Sequence, residues 1–63
     1  MSPEPSISTE EAILMAARKV FESKGFDGAR MQEISDRAGI NRALLHYYFR
    51  SKNKMFARIF DEA

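Results

Sequence analysis

Apolar side chains recur every three or four residues along most of this chain, which is the spacing of one buried face on an α-helix. The first such run consists of Ile13, Ala16, Ala17, Val20 and Phe21. Before it, Ser8 and Glu11 have the spacing of a capping box, in which each residue accepts a hydrogen bond from the other's main chain. A first helix is therefore predicted over residues 9 to 24, with Gly25 ending it.

A second apolar run predicts a helix over about residues 30 to 38. Its buried side consists of Met31, Ile34 and Ala38. The N-cap position of this helix falls on Ala29, which lacks the side-chain oxygen that a good cap supplies. Between the two helices, Phe21 and Phe26 are spaced as the hydrophobic pair of a Schellman motif around Gly25.

Gly39 and Asn41 separate the second helix from a third at the spacing of a helix-turn-helix. A glycine ends a helix readily, because a residue without Cβ enters the left-handed conformation without steric conflict. The side-chain oxygen of Asn41 can accept a hydrogen bond from the first turn of the third helix. Ile40 and Leu45 are placed for a hydrophobic staple that sets the direction of this helix.

The third helix has two different faces when its residues are placed about 100° apart. The side predicted to be buried consists of Leu45, Tyr48 and Phe49. The opposite side consists of Ala43 and Tyr47, flanked by Leu44 and His46. One face is therefore expected to pack against the domain, and the other is expected to serve as a recognition surface.

A fourth helix is predicted to begin with Ser51 as its N-cap. Its apolar stripe consists of Met55, Phe56, Ile59, Phe60 and Ala63. Lys52 and Lys54 lie in the first turn, where the helix dipole is already positive, so this end is expected to attract an anion such as phosphate. Asp61 and Glu62 are unfavourable in a last turn, which indicates that the helix continues in a longer parent protein.

Length and composition confine the chain to one small domain. It has 63 residues and no cysteine, so neither a disulfide nor a cysteine-ligated zinc site is expected and helix packing must hold the fold. Residues 1 to 7, with two prolines, are predicted to be a mobile arm, and they show no signal-peptide pattern. No run of about 18 apolar residues is present to span a membrane. We expect a cytoplasmic, all-α domain over residues 8 to 63, with three short helices and the start of a fourth.

Charge is distributed unevenly along the chain. The net charge is only +1, yet residues 37 to 60 contain six basic residues and no Asp or Glu. All nine acidic residues lie outside that window. The two parts of the chain are therefore expected to have different electrostatic roles.

The run from Glu33 to Met55 resembles the N-terminal DNA-binding domain of the tetracycline-repressor (TetR) family of transcriptional regulators. The upstream segments that share this resemblance are Ala16-Ala17, Val20-Phe21 and Lys24-Gly25-Phe26. It covers about residues 10 to 60 and implies sequence-specific binding of double-stranded DNA by a homeodomain-like helix-turn-helix, without a cofactor. It also implies a bacterial parent that is usually a homodimeric repressor, whose C-terminal domain, missing here, dimerises and binds a small-molecule effector.

Carried over by position, the resemblance implies that Arg42, Ala43 and Leu44 face base edges in the major groove, with Gln32 near the groove wall. Paired guanidinium donors suit guanine, and apolar side chains suit the thymine methyl group. A phosphate clamp or a solvated side chain at Arg42, and packing of Leu44 against the second helix, remain open alternatives.

The resemblance implies that Lys52 binds a phosphate and that Tyr47 contacts either a phosphate or a base. From charge and position we add His46, Lys54 and Arg50. For Lys52, Lys54 and Arg50, an ordinary solvated patch is the alternative. Two positions depart from the commonest family pattern. Ala29 stands where Thr or Ser is frequent, and His46 stands where Tyr is usual.

A rival interpretation is a helical protein-protein interaction module, whose aromatic face docks a partner helix. The cations around Tyr47 argue against it, because a docking face would have an apolar rim. An enzyme is a third class, but His46 is the lone histidine, and no cysteine or neighbouring carboxylate is available to form a catalytic pair with it. No catalytic residue and no metal site are therefore predicted.

Overall fold

The computed structural model describes residues 8 to 61, and within them the chain is helical with short connections. The helices are α1 (Thr9–Gly28), α2 (Met31–Ala38), α3 (Arg42–Tyr48) and α4 (Lys52–Phe56), and a π-helical segment (Ala57–Asp61) continues α4. The predicted all-α fold with a helix-turn-helix is confirmed. The predicted N-terminal arm and the last two residues of the predicted fourth helix lie outside the described residues. No helix in the described part is both long and apolar enough to cross a membrane.

α1 begins with the predicted capping box. The Ser8 hydroxyl accepts from the Glu11 N–H at 3.2 Å, and the Glu11 carboxylate accepts from the Ser8 N–H at 3.3 Å. Gly25 interrupts the helix with φ 77° and ψ 169°, a conformation essentially reserved for glycine. The extended ψ differs from the left-handed geometry of the predicted Schellman motif, but the rings of Phe21 and Phe26 do stack, with centroids 5.9 Å apart.

α2 begins one residue later than predicted. Its N-cap is Arg30, which makes no side-chain capping hydrogen bond. The predicted cap position, Ala29, instead closes α1: its N–H donates to Gly25 and Phe26 carbonyls, and its methyl group is buried in the core. The prediction was wrong because the chain continues past Gly25 for one more helical turn.

The turn between α2 and α3 has the predicted geometry. Gly39 is left-handed, with φ 78° and ψ 28°, and its N–H donates to carbonyls at the end of α2. Asn41 caps α3 by accepting from the Leu44 N–H at 2.8 Å. Ile40, which lies between Gly39 and Asn41 in the sequence, packs against the hydrophobic core and so anchors the turn between the two helices.

Replacement of Gly39 by alanine is expected to lower the free energy of unfolding by about 1 to 2 kcal/mol, the difference between left-handed and right-handed backbone for a residue with Cβ. A Cβ at this position would meet no other atom within 4 Å, so backbone strain alone sets the effect. Gly39→Asn should be milder, because asparagine tolerates this conformation. Urea denaturation measures the three stabilities, which should fall in the order wild type, Gly39→Asn, Gly39→Ala. An alanine variant as stable as the wild type would contradict this prediction.

The hydrophobic core lies where α1 packs against both α2 and α4, and α3 covers it from the side of α2. Its buried members are Ile13, Ala17, Val20, Phe21, Ala29, Ile34, Leu45, Phe49 and Met55. Two predicted core residues, Phe56 and Phe60, remain 38% and 46% exposed. Their rings contact each other and Phe21, and the described residues leave their outer sides uncovered.

Two ion pairs connect distant parts of the chain. Lys24 near the end of α1 pairs with Glu33 on α2 at 3.0 Å, and Arg58 pairs with Glu10 at the start of α1. All four side chains are at least one third exposed, so each pair contributes at most about 1 kcal/mol. The pairs therefore add to an orientation of the helices that the core already sets.

Candidate nucleic-acid interface

α3 presents its predicted recognition face to solvent. Tyr47 is 79% exposed and Leu44 is 39% exposed, whereas Leu45 between them in the helix is fully buried. Ala43 and His46 on this face are also exposed, as is Arg42 at the start of the helix. The predicted orientation of α3 is therefore the one that the structure shows.

This orientation is set by packing rather than by the helix itself. A helix of seven residues is too short to be stable alone in water. Leu45 and Phe49 hold α3 against the core, and the Phe49 N–H closes its last turn by donating to the Leu45 carbonyl at 2.8 Å. The exposed side chains therefore project from a backbone that the core fixes.

Tyr48 differs from its predicted role as a core residue, because 39% of its surface is exposed. Its ring lies edge-on to the ring of Tyr47, with centroids 5.3 Å apart and planes at 88°. The helical position places Tyr48 at the border between the two faces of α3, where the core covers only part of the ring. Tyr48 consequently supports the more exposed Tyr47.

Gln32 lies exposed on α2, and its side chain is held within that helix. Its amide Nε2 donates to an Asp36 carboxylate oxygen at 2.9 Å, one turn further along. The amide oxygen of Gln32 takes no part in that hydrogen bond. This geometry does not test the predicted approach of Gln32 to a groove wall, which stays a prediction.

The cations near α3 fall into two groups. Arg42, Arg50 and Lys54 have exposed side chains, as a phosphate or base contact requires. Lys52 is half-buried, and its ammonium group donates to the main-chain carbonyls of Phe26 at 2.6 Å and Ala29 at 2.9 Å. These contacts are made without DNA, so the phosphate contact predicted for Lys52 stays a prediction.

The start of α4 has the predicted cap. The Ser51 hydroxyl accepts from the Lys54 N–H at 3.4 Å, near the upper limit for such a bond. Sequence reasoning overlooked Arg30, an exposed cation at the start of α2. A basic residue beside a helix start is a signal that the sequence itself contains.

Within residues 8 to 61, no three His, Asp or Glu side chains are close enough together to hold a metal ion. The exposed face of α3 instead combines cationic, aromatic and apolar side chains. Such a set can donate hydrogen bonds, neutralise negative charge and contact methyl groups.

Comparison with known proteins places this domain among bacterial regulators. Over 53 residues the chain is 43% identical to the HTH-type transcriptional repressor NicS of Pseudomonas putida. It is 38% identical over 47 residues to the HTH-type transcriptional activator FasR of Mycolicibacterium smegmatis, and 38% identical over 50 residues to the HTH-type transcriptional regulator RutR of Escherichia coli. These matches cover 84%, 75% and 79% of this chain.

A solved structure agrees with these matches. The crystal structure of an HlyIIR mutant protein superposes with a TM-score of 0.80 at 40% sequence identity, covering 84% of this chain and 29% of that one. The chain likewise spans only 25%, 22% and 24% of the lengths of NicS, FasR and RutR. The model of the family described as bacterial regulatory proteins, tetR family, matches residues 13–59. The chain therefore belongs to the tetR family of bacterial regulatory proteins.

Proposed function

We propose that this chain is the DNA-binding part of a transcriptional regulator and binds double-stranded DNA sequence-specifically. The observation that carries the proposal is the orientation of α3, whose buried Leu45 turns Ala43, Leu44 and Tyr47 outward. Arg42 is exposed at the first position of the same helix. In a docked helix-turn-helix, the second helix of the motif enters the major groove. The relatives NicS and FasR are named as a transcriptional repressor and a transcriptional activator, which supports the same role here.

Base readout is assigned to the first turn of α3. Arg42 can donate paired hydrogen bonds to guanine O6 and N7, and the apolar side chains of Ala43 and Leu44 can contact a thymine methyl group. Gln32 on α2 approaches the groove wall with its free amide oxygen. These are short-range contacts, so they discriminate between bases rather than supply most of the affinity.

Phosphate contacts set the register of α3 along the duplex. We assign them to Tyr47, His46, Arg50 and Lys54, whose side chains are exposed. The first helix of a docked motif crosses the DNA backbone, which gives Arg30 at the start of α2 a similar role. Lys52 is set apart from this group because its ammonium group already has two protein partners.

The parent protein is, in this proposal, a cytoplasmic homodimer that represses transcription. The matched relatives are about four times longer than the part that they share with this chain, which leaves room for a C-terminal domain that dimerises and binds a small-molecule effector. One of the relatives, NicS, is named as a transcriptional repressor. A single domain is then expected to bind one half-site weakly.

The alternative is a protein-protein interaction module. Its support is the exposure of three apolar side chains, Met15, Phe56 and Phe60, which are 55%, 38% and 46% exposed. They belong to α1, α4 and the segment after α4, whereas the cationic and tyrosine-bearing face belongs to α3. The two functions therefore use different residues, and a DNA titration separates them.

The test is a fluorescence anisotropy titration of the 63-residue chain with a random-sequence duplex at several salt concentrations. The logarithm of the binding constant should fall linearly with the logarithm of the salt concentration, because each phosphate contact releases counterions. Lys54→Met should reduce the slope by about 0.9, the value for one phosphate contact. Lys19→Met, which removes a lysine from the exposed side of α1, is the matched control and should keep the wild-type slope. Absence of binding, or equal slopes for both variants, would contradict the proposal.

A further inference from the structure

The ammonium group of Lys52 contacts two main-chain carbonyls and one aromatic ring inside the protein. It donates to the Phe26 carbonyl at 2.6 Å and to the Ala29 carbonyl at 2.9 Å. It also lies 4.5 Å from the centroid of the Phe26 ring, within the range of a cation–π interaction. Hydrogen bonds from a charged donor are stronger than those between neutral groups, and this lysine is partly shielded from water.

Both carbonyl groups belong to the corner where α1 ends. Phe26 lies in the last turn of α1, and Ala29 is its C-cap. The carbonyl end of a helix carries partial negative charge, and within the last turn of α1 there is no basic side chain to offset it. Lys52 supplies the missing positive charge, although it lies 26 residues after Phe26 and 23 residues after Ala29 in the sequence.

This contact joins the two helix starts on either side of the proposed reading helix. Ala29 directly precedes Arg30, the N-cap of α2, and Lys52 is the first residue of α4. Only the segment 49 to 51 separates α3 from Lys52. The contact therefore holds the chain at the C-terminal end of α3, while the Gly39 turn holds it at the other end.

We propose that Lys52 is a positioning residue, which fixes α3 for DNA binding through the carbonyls of Phe26 and Ala29 and does not ligate a phosphate. The inference rests on the proposed DNA-binding function. The ammonium group has three N–H donors, and the two carbonyls and the Phe26 ring are already its partners, so a phosphate would have to compete with them. Lys54, two residues away and exposed, is the phosphate ligand of this turn.

Nuclear magnetic resonance of the wild-type chain tests the contact directly. In the absence of DNA, the Lys52 ammonium protons should exchange slowly with water and show nuclear Overhauser effects to the Phe26 ring. Adding a random-sequence duplex should leave these effects in place. Loss of the effects to Phe26, together with scalar coupling of the Lys52 ammonium group to a DNA phosphorus, would overturn the proposal.

A salt-slope comparison tests the role in binding. Lys52→Met keeps the aliphatic stem and removes the charge, and Lys54→Met is the matched variant. Lys52→Met should bind a duplex selected by the wild-type chain about tenfold more weakly, equivalent to losing one base contact, with the wild-type salt slope. Lys54→Met should lose about 0.9 from the slope. Lys52→Arg, which can still donate to both carbonyls, should restore most of the affinity.

Each outcome bears on one proposal. A slope reduced equally by Lys52→Met and Lys54→Met would make Lys52 a phosphate ligand and overturn the positioning role. Should Lys52→Met fail to fold, as judged by circular dichroism, the wild-type resonance experiment decides alone. A wild-type chain that binds no duplex would refute the proposed function, whereas the Phe26 effects in free protein would still establish the internal contact.

Discussion

Replacing Leu45 with alanine is expected to remove most or all of the stability of this domain. Leu45 is 0% exposed and is the residue through which α3 enters the core. A buried leucine-to-alanine change costs about 2 to 5 kcal/mol. A domain of this length has only about 3 to 9 kcal/mol in total, at about 0.05 to 0.15 kcal/mol per residue. Urea denaturation followed by circular dichroism measures the loss.

Leu44→Ala is the matched control, since it makes the same chemical change at the next residue of the same helix. Leu44 is 39% exposed, so the expected loss of stability is below about 1 kcal/mol. This variant should fold normally and lose affinity for duplexes that contain a contacted thymine. Equal destabilisation by the two substitutions would show that α3 does not have the buried and exposed faces described above.

Arg42→Ala should relax the preference for one base pair by about 1 to 3 kcal/mol if the guanidinium reads guanine. Arg42 is exposed at the first position of α3, so its removal leaves the core intact. Selection of bound duplexes from a random pool, with the wild type and the variant in parallel, measures the preference position by position.

Arg42→Lys is the control for charge, because lysine keeps the cation and loses the planar pair of donors. It should relax the same base position as Arg42→Ala while keeping the salt dependence of the wild type. If Arg42 instead clamps a phosphate, Arg42→Ala will weaken all sequences alike and reduce the salt slope by about 0.9. An alanine variant with the wild-type preference and affinity would exclude both roles.

The elements that could be predicted from sequence are those with local causes. Ser8, Asn41 and Ser51 each accept a main-chain hydrogen bond from three residues ahead, and that spacing is visible in the sequence. The left-handed turn at Gly39 depends on the absence of its own side chain. Because the cause and the effect lie within one turn of chain, no knowledge of tertiary structure was needed.

The predictions that failed depend on what covers a side chain. Helical periodicity places Phe56 and Phe60 on the apolar stripe, but it does not show that no described residue packs over their outer sides. The predicted burial of Tyr48, at the edge of α3, fails for the same reason. The local pattern located the break at Gly25, but it did not predict the geometry of that break or the further turn that carries α1 to Gly28.

The candidate site shows the same division between local and distant causes. The outward orientation of Ala43 and Tyr47 follows from their angular distance to Leu45, which the sequence contains. The position of the Lys52 ammonium group depends on carbonyls 23 and 26 residues earlier, which no local pattern can locate. The DNA contacts themselves remain predictions, because they depend on a partner outside the chain.

The most direct measurement is the set of nuclear Overhauser effects between the chain and a duplex selected by it from a random pool. If α3 enters the major groove, the methyl groups of Ala43 and Leu44 will show effects to thymine methyl or cytosine H5 protons, which lie only in that groove. Effects confined to Met15, Phe56 or Phe60, with none from α3, would contradict the account.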